Sequence, residues 1–525
     1  MQLFYFLFLY VKEMLNHSRT YNSIANSLYG IIASVITVIL NFAVRVVLVR
    51  QLGEEINGIN SLFQSIISMM ALMEMGISSA MIIHLYEPVK NNNQETIAGI
   101  MNFYRQIYYY IAVAFTIVGI LVSFFLLERL VTSSISIETV RVYFLFFTFA
   151  FVVNYLTYYK RSLLFAEQKN RISTLVTAIC EIIFRTLQLL SLLCWQNYYL
   201  FLVLLAIEKF TGNMICQYYV NKCHPYLVHS KAIIPSEKKK AIFNTVKPLM
   251  VNQTASTMQN AASSILISLL LGNVSIVGYF GVYQLIISVV TLFFSQFGAA
   301  FTTSFGNLAV EKNSNHMKVV YRNSAFIFDW MACICTAAVL ACADDFVYLF
   351  FGENFVLQTG NVLLLSLQML IGLIAVPIIS IQNAMGLHCY DSTAMVVQAV
   401  LAIIGGYILG GYWGMPGILV GLLIPTFCIL LIRKGIIIGK VAMSMRGGDF
   451  LLVLVPDMIY IIIVGILTIL VCKCIRLEVS LFSIFVKLFI SLMFSVIVTF
   501  FIARLFRSNE LKAAYSIVAQ IRRTN

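Results

Sequence analysis

Two cations and one carboxylate stand out from long apolar runs. Arg45 and Arg50 lie in FAVRVVLVRQLGEEINGINSLFQ, Phe42 to Gln64, between two such runs, and Glu74 lies well inside the second. A charge in or beside a membrane span is costly unless something compensates it, so each is a candidate for holding an ion or a charged ligand. Arg45 comes about twenty residues after the start of its run, near its far end at ~1.5 Å per residue. Arg50 lies beyond it, about 140° further round a continuous helix, so the two cannot both face one ligand. Arg50 is expected to snorkel to headgroups. For Arg45 two readings stand, an anionic ligand or snorkelling. Glu74 falls roughly 20 Å below Arg45, too far for a simple ion pair. It either binds a cation or proton, or bonds a neighbouring helix.

A third feature is the run KPLMVNQTASTMQNAASSILISLLLG from Lys247. Asn252, Ser256, Gln259 and Ser263 fall at helical spacing, with Gln253, Thr257, Asn260 and Ser264 as the adjoining stripe. Such groups either bond neighbouring helices or line a wet cavity; so many on one face favour the cavity. Glu181 and Arg185, four apart with the acid first, are expected to pair within their helix. Glu208 and Lys209 point to different faces, so one is placed to reach the cavity. Asp329 lies close to the inner surface and Lys487 is near enough to an end to snorkel; neither is assigned a role.

The elements that position these residues follow from composition. The chain has 525 residues, 60% hydrophobic and 11% charged, with mean hydropathy +0.91. No soluble protein of this size hides that much apolar surface. About fourteen stretches are long enough to cross a bilayer as helices: near 25–49, 58–85, 106–127, 141–159, 172–194, 198–220, 246–271, 276–303, 323–343, 357–385, 391–410, 413–433, 454–473 and 480–503. The expected fold is an all-α polytopic membrane protein. With the N-terminus inside, Lys and Arg favour the inner segments by roughly five to one, which places both termini in the cytoplasm. The net charge of +13 is thus explained by topology, and nucleic acid is not an expected partner. The division expected is a leader (1–24), an N-lobe (25–220), a basic linker (221–245), a C-lobe (246–433), two further helices (454–503) and a basic tail (504–525). The opening MQLFYFLFLY lacks a basic region and a cleavage site, so it is a poor signal peptide, and translation is expected to start at Met14. The cysteines, including the pairs Cys333/Cys335 and Cys472/Cys474, show neither metal nor disulfide spacing and read as packing residues. The glycine pairs at Gly405 and Gly410 suit close helix packing. No Walker loop, HExxH motif or phosphate loop is present. Neither catalytic residues nor a cofactor are expected; H+ or Na+ is the candidate coupling ion.

The halves also resemble each other. LGEEINGINSLFQSIIS from Leu52 matches LGNVSIVGYFGVYQLIIS from Leu271 with one extra residue in the second, aligning Gly58 with Gly278, Phe63 with Tyr283, Gln64 with Gln284 and Ser68 with Ser288. EMGISSA at Glu74 lies over QFGAAFT at Gln296. Six spans separate the copies, so they run parallel. Two six-helix lobes with a cavity between them are expected. Gln64 and Gln284 join Arg45, Glu74 and the seventh-span residues as candidate substrate-binding groups.

Phe42, Arg45, Leu52–Gly53, Gly58, Asn60, Leu62–Phe63, Glu74, Gly76, Leu85–Tyr86 and Pro88 together resemble the Wzx-type polysaccharide flippases of the multidrug/oligosaccharidyl-lipid/polysaccharide exporter superfamily. The motif covers about 50 residues, and the likeness in span pattern covers nearly the whole chain. The resemblance implies alternating access by two lobes. It also implies a substrate of oligosaccharide on undecaprenyl pyrophosphate, moved to the outer leaflet of the bacterial inner membrane for O-antigen, capsule or exopolysaccharide. Membrane lipids, a polysaccharide polymerase and glycosyltransferases are the implied partners. Relatives often carry an acid in the seventh span, where Ser263 stands here. The alternatives are a cation-coupled multidrug antiporter of the same superfamily, a peptidoglycan-precursor flippase, and a membrane polymerase or glycosyltransferase that uses lipid-linked sugars.

Overall fold

A computed structural model of the protein describes residues 19–511 apart from 75, 312, 475–477 and 507–509. The expected start at Met14, most of the leader and most of the basic tail lie outside the described residues. Among the described residues the chain is helical throughout, with no strand. The first helix, α1 (Arg19–Met70), turns sharply at Gly53 (φ 86°, ψ 176°). There follow α2 (Ile77–Lys90), α3 (Gln94–Leu121, extended by a π turn to Leu130), α4 (Ile137–Tyr158), α5 (Arg161–Ala166), α6 (Asn170–Trp195), α7 (Tyr198–Cys223) and the short α8 (Tyr226–His229). After α9 (Ser236–Leu271) come α10 (Val274–Glu311), α11 (Ser314–Phe351), α12 (Thr359–Ile374), α13 (Val376–Met385), α14 (Ser392–Trp413) and α15 (Met415–Pro425). A π turn leads to α16 (Lys434–Met443), then α17 (Gly447–Cys474) and α18 (Leu481–Phe506).

Eleven described segments are long and apolar enough to cross a membrane. One of these, Val35–Met70, is two passages joined at Gly53, and α9 and α17 add two more, which gives the fourteen passages expected. Their outward side chains are apolar: Ile39, Phe125 and Phe482 are 60%, 73% and 77% exposed. So much exposed hydrocarbon is tolerable only against lipid or another apolar surface. The protein is an all-α polytopic membrane protein.

The chain divides into two compact units, Met1–Gln253 and Thr254–Asn525, the division falling inside α9. In unit 1, α1 packs on α6 and α4 on α7. The basic linker belongs to this unit: Asn102 Nδ2 of α3 donates to the carbonyls of Ser230 (2.8 Å) and Ala232 (3.2 Å), and Ile234 is buried. In unit 2, α14 and α15 form a tight hairpin. A Cβ added at Gly417 would stand 2.0 Å from the Leu409 carbonyl oxygen, and one at Gly421 2.3 Å from Gly406 N. Only glycine lets two backbones approach that closely. The two C-terminal helices belong to unit 2 and pack on α11. There Trp330 Nε1 donates to Thr499 Oγ1 (2.7 Å) and Lys487 pairs with Asp345.

Candidate functional site

In unit 1 the turn at Gly53 folds α1 back and brings Arg45 beside the next passage. Its guanidinium donates to Ser61 Oγ, and Ser61 donates to the Asn57 carbonyl (2.9 Å). A serine hydroxyl can do both at once, giving its proton to the helix and accepting from the cation. Arg45 is half-buried, and among the described residues no ion pair includes it. Its Nε and both polar atoms of the fully buried Asn57 amide have no partner among the described residues. Tyr198, at the start of α7, interacts electrostatically with Arg45 and donates to Asn60 Oδ1 (3.1 Å). Its ring is fixed by stacking on Phe201 (5.6 Å) and by the edge contact of Tyr143 (4.8 Å). The arrangement supplies one cation and several unused hydrogen-bonding atoms, the donor set that suits an oxyanion. Arg50 is exposed.

Glu74 sits where the second passage breaks. A 3-10 turn at Ala71–Met73 ends on it, and Gly76, with φ +86°, starts α2. A Cβ at Gly76 would lie 2.8 Å from Met250 N of α9, so glycine is required twice over, by handedness and by space. Tyr108 of α3 donates to Glu74 Oε1 (2.8 Å). The bond to a neighbouring helix expected for Glu74 is therefore present. Ring centres of Tyr155 and Tyr158 lie 6.5 and 6.3 Å from Tyr108, and Ser78 bonds both Tyr108 and Tyr158. Tyr158 in turn lies 5.7 Å beneath the buried Arg161 guanidinium, which donates to Thr177 Oγ1 (2.7 Å). A carboxylate thus connects through phenols and a hydroxyl towards a cation.

The polar ribbon of α9 is described only in part. The side chains of Asn252, Gln253, Ser256 and Asn260 lie outside the described residues. Gln259, Ser263 and Ser264 are buried within unit 2. Gln398 Nε2 of α14 donates to Gln259 Oε1 (2.6 Å), and Gln259 Nε2 reaches Thr426 Oγ1 and the Leu422 carbonyl (3.4 Å). At Gln259 the ribbon joins helices rather than meeting open space. Gln64 is exposed and Gln284 half-buried.

Three expectations for charged side chains come out differently. Arg185 does not pair with Glu181 among the described ion pairs; Gln188 Oε1 (2.8 Å) and Glu208 Oε2 (3.8 Å) take its guanidinium, because α7 brings a more deeply buried acid alongside. Lys209 folds back onto Glu208 (2.9 Å), which leaves neither pointing separately. Lys487 turns to Asp345 instead of snorkelling.

Other residues were invisible to sequence reasoning. Asn57, Ser61 and Tyr198 around Arg45, and Tyr108 and Tyr158 around Glu74, look like ordinary polar or aromatic residues in apolar runs. Asn57 and Ser61 alone carry a signal, a four-residue spacing that puts both on one helix face. At the ends of the helices each unit has a loop clamp. Glu167 holds His224 Nε2 (2.7 Å) and Lys169 Nζ (3.0 Å). Although burial raises the Glu167 carboxyl, the hydrogen bonds from His224 and Lys169 outweigh it and hold the group below its ordinary value. In unit 2 the buried Asp391 holds Lys434 (2.8 Å) and Arg433 (3.2 Å). No group of His, Cys, Asp and Glu able to hold a metal occurs among the described residues.

Fourteen helical passages in two units, with a carboxylate and an arginine that pairs with no acid among the described residues in the first, define a polytopic membrane protein with charged groups set inside its first unit. Residues 23–305, more than half of the chain, match the profile of the family described as "Polysaccharide biosynthesis protein". The chain belongs to that family. No curated protein sequence matches it. Among solved structures it is similar to "Lipid II flippase MurJ, inward closed conformation", with TM-score 0.66 and 14% identity over 91% of this chain and 99% of that one. It is also similar to a multidrug resistance MATE family transporter in an inward-facing conformation (TM-score 0.61, 16% identity, 80% and 98% covered). The outward-facing conformation of such a transporter gives TM-score 0.55 and 14% identity, with 83% and 98% covered.

Proposed function

We propose that this protein is a flippase, not an enzyme. In this reading it carries oligosaccharide units linked to undecaprenyl pyrophosphate from the inner to the outer leaflet by alternating access, for assembly of O-antigen, capsule or exopolysaccharide. The charge count supports both termini and the basic linker on the cytoplasmic side, and the bacterial inner membrane goes with the proposed substrate. The observation that carries the reading is Arg45, a half-buried guanidinium that among the described residues is answered only by a hydroxyl, beside the Asn57 amide, which has no partner among them. A diphosphate supplies the missing charge and acceptors, and arginine matches it bidentately. Sugar hydroxyls entering hydrocarbon unpaired would cost about 4–8 kcal/mol each, so the headgroup needs a polar route. The amides and hydroxyls of α9, among them Asn252, Gln253, Ser256 and Asn260, are proposed to line it. Glu74 is the proposed site of a coupling H+ or Na+. Glycosyltransferases would supply the substrate and a polymerase would consume it.

Arg45→Ala is expected to cut surface polysaccharide about 10- to 100-fold, the loss of one charged hydrogen-bonding group, with protein in the membrane unchanged. Arg45→Lys restores part of it. Normal polysaccharide in the Ala variant would remove Arg45 from the mechanism. The half-buried Glu74 among Tyr108, Tyr155 and Tyr158 also suits an organic cation, as in a multidrug antiporter. Protection of a drug-sensitive strain, with no effect on polysaccharide, would favour that reading.

A further inference from the structure

At the end of unit 1 that carries the linker, α4 finishes and Tyr159 and Lys160 follow. Lys160 is buried, 7% exposed, and donates to Asn221 Oδ1 (2.5 Å). Its ammonium stands 5.8 Å from the centre of the Tyr159 ring. Arg105 of α3, itself exposed, hydrogen-bonds the Tyr159 hydroxyl and lies close enough to repel Lys160. Burial first, and then Arg105, push the Lys160 ammonium below its usual value. No acid answers either cation among the described ion pairs; Glu167, in the same loop, is taken by His224 and Lys169. Bringing two like charges onto one buried tyrosine is unfavourable unless a negative group joins them. The donors match a group with several acceptor oxygens: the fork of Arg105, the ammonium of Lys160, and the amide N–H of Asn221, whose oxygen alone is occupied by Lys160.

We propose that Arg105, Tyr159, Lys160 and Asn221 form a binding site for a phosphate or diphosphate group at the basic end of unit 1. The depth fits a headgroup: three residues before Arg105, Asn102 still holds the linker. On the flippase reading, on which the choice of source rests, the group is the diphosphate of a polyprenyl lipid arriving at the inner face, ahead of Arg45. A soluble phosphate has the same chemistry.

The test measures binding and not transport. The full-length protein and its Lys160→Gln, Arg105→Gln and Lys160→Arg variants are placed in phosphatidylcholine nanodiscs. One arm titrates inorganic pyrophosphate; the other adds undecaprenyl diphosphate and counts retained molecules by native mass spectrometry. Retention of the lipid by the wild type, weakened about tenfold or more in both Gln variants and kept by Lys160→Arg, supports a headgroup site. The same pattern with pyrophosphate alone assigns the site to soluble phosphate. Equal binding by wild type and Arg105→Gln in both arms overturns the proposal; Arg105 is exposed, so that variant folds. If loss of the whole protein leaves surface polysaccharide unchanged while Lys160→Gln loses the diphosphate, the flippase reading falls and this site stands.

Discussion

The two units share a corner and part company just after it. Gly53 and Gly272, aligned by the repeat, both take positive φ, 86° and 58°, and each turns the chain from the first passage of its half into the second. Beyond the corner, unit 1 breaks its second passage at Glu74–Gly76, whereas unit 2 runs α10 unbroken for 38 residues through the matching Gly298. The charges differ in the same sense. In the register of the LG corner Arg45 falls on Ser264, and in that of the EMG/QFG match Glu74 falls on Gln296. Unit 1 therefore carries ionisable groups and a helix break where unit 2 has neutral side chains and continuous helix. In unit 2 the corresponding polarity, at Gln259, is closed by Gln398 and Thr426. The corner is common to both halves; the helix break and the charges beside it are not.

The loop clamps sharpen the contrast and give the largest expected effect. Asp391 is buried against Lys434, itself 5% exposed. Asp391→Asn strands that ammonium and is expected to cost about 3–5 kcal/mol, read as a lower unfolding midpoint in detergent. A shift as small as that of a surface variant would mean that the Asp391 clamp does not hold unit 2 together. Next comes the helix break. Gly76→Ala meets both a left-handed φ and the Met250 backbone, and is expected to cost about 2 kcal/mol. The matching Gly298→Ala meets a side chain and not backbone, Val376 Cγ1 at 2.8 Å, and no left-handed φ, so it should cost less than Gly76→Ala, about 1 kcal/mol. Equal costs would mean that the break is not what separates the halves.

The last effect depends on pH. The Glu167 carboxyl is depressed in the folded protein, so its contribution is complete above the ordinary carboxylate value of about 4.3 and is lost as pH falls through the folded value below that. Glu167→Gln should thus cost about 1 kcal/mol at pH 7, and the gap from wild type should close in acid. A gap that persists unchanged at low pH would show that packing, not charge, holds this loop.

Much of the fold was legible because lipid imposes a simple rule: each passage must be a long apolar helix. The fourteen expected stretches and the corner at Gly53 follow from it. The LG match also pointed to Gly272, since a positive φ needs glycine at both places. The site was legible only where a charge interrupts hydrocarbon, at Arg45 and Glu74. What answers those charges was not, because Tyr198 and Tyr108 come from distant helices and a tyrosine in a membrane helix carries no mark of its partner. The α9 ribbon shows the same limit. Periodicity put Gln259 on the polar face, but only packing could show that Gln398, 139 residues away, occupies its oxygen. The Glu181–Arg185 spacing failed because local order is outweighed when α7 offers the buried Glu208.

Gly53 and Gly272 have one more property: no atom lies within 4 Å of where a β-carbon would project at either. The corner therefore rejects ordinary residues on chirality and not on bulk. A mirror-image amino acid, D-alanine inserted by chemical ligation, would suit both turns. Asparagine, which tolerates the left-handed helical region, does not help at Gly53, where ψ is 176° and glycine alone among the natural residues fits.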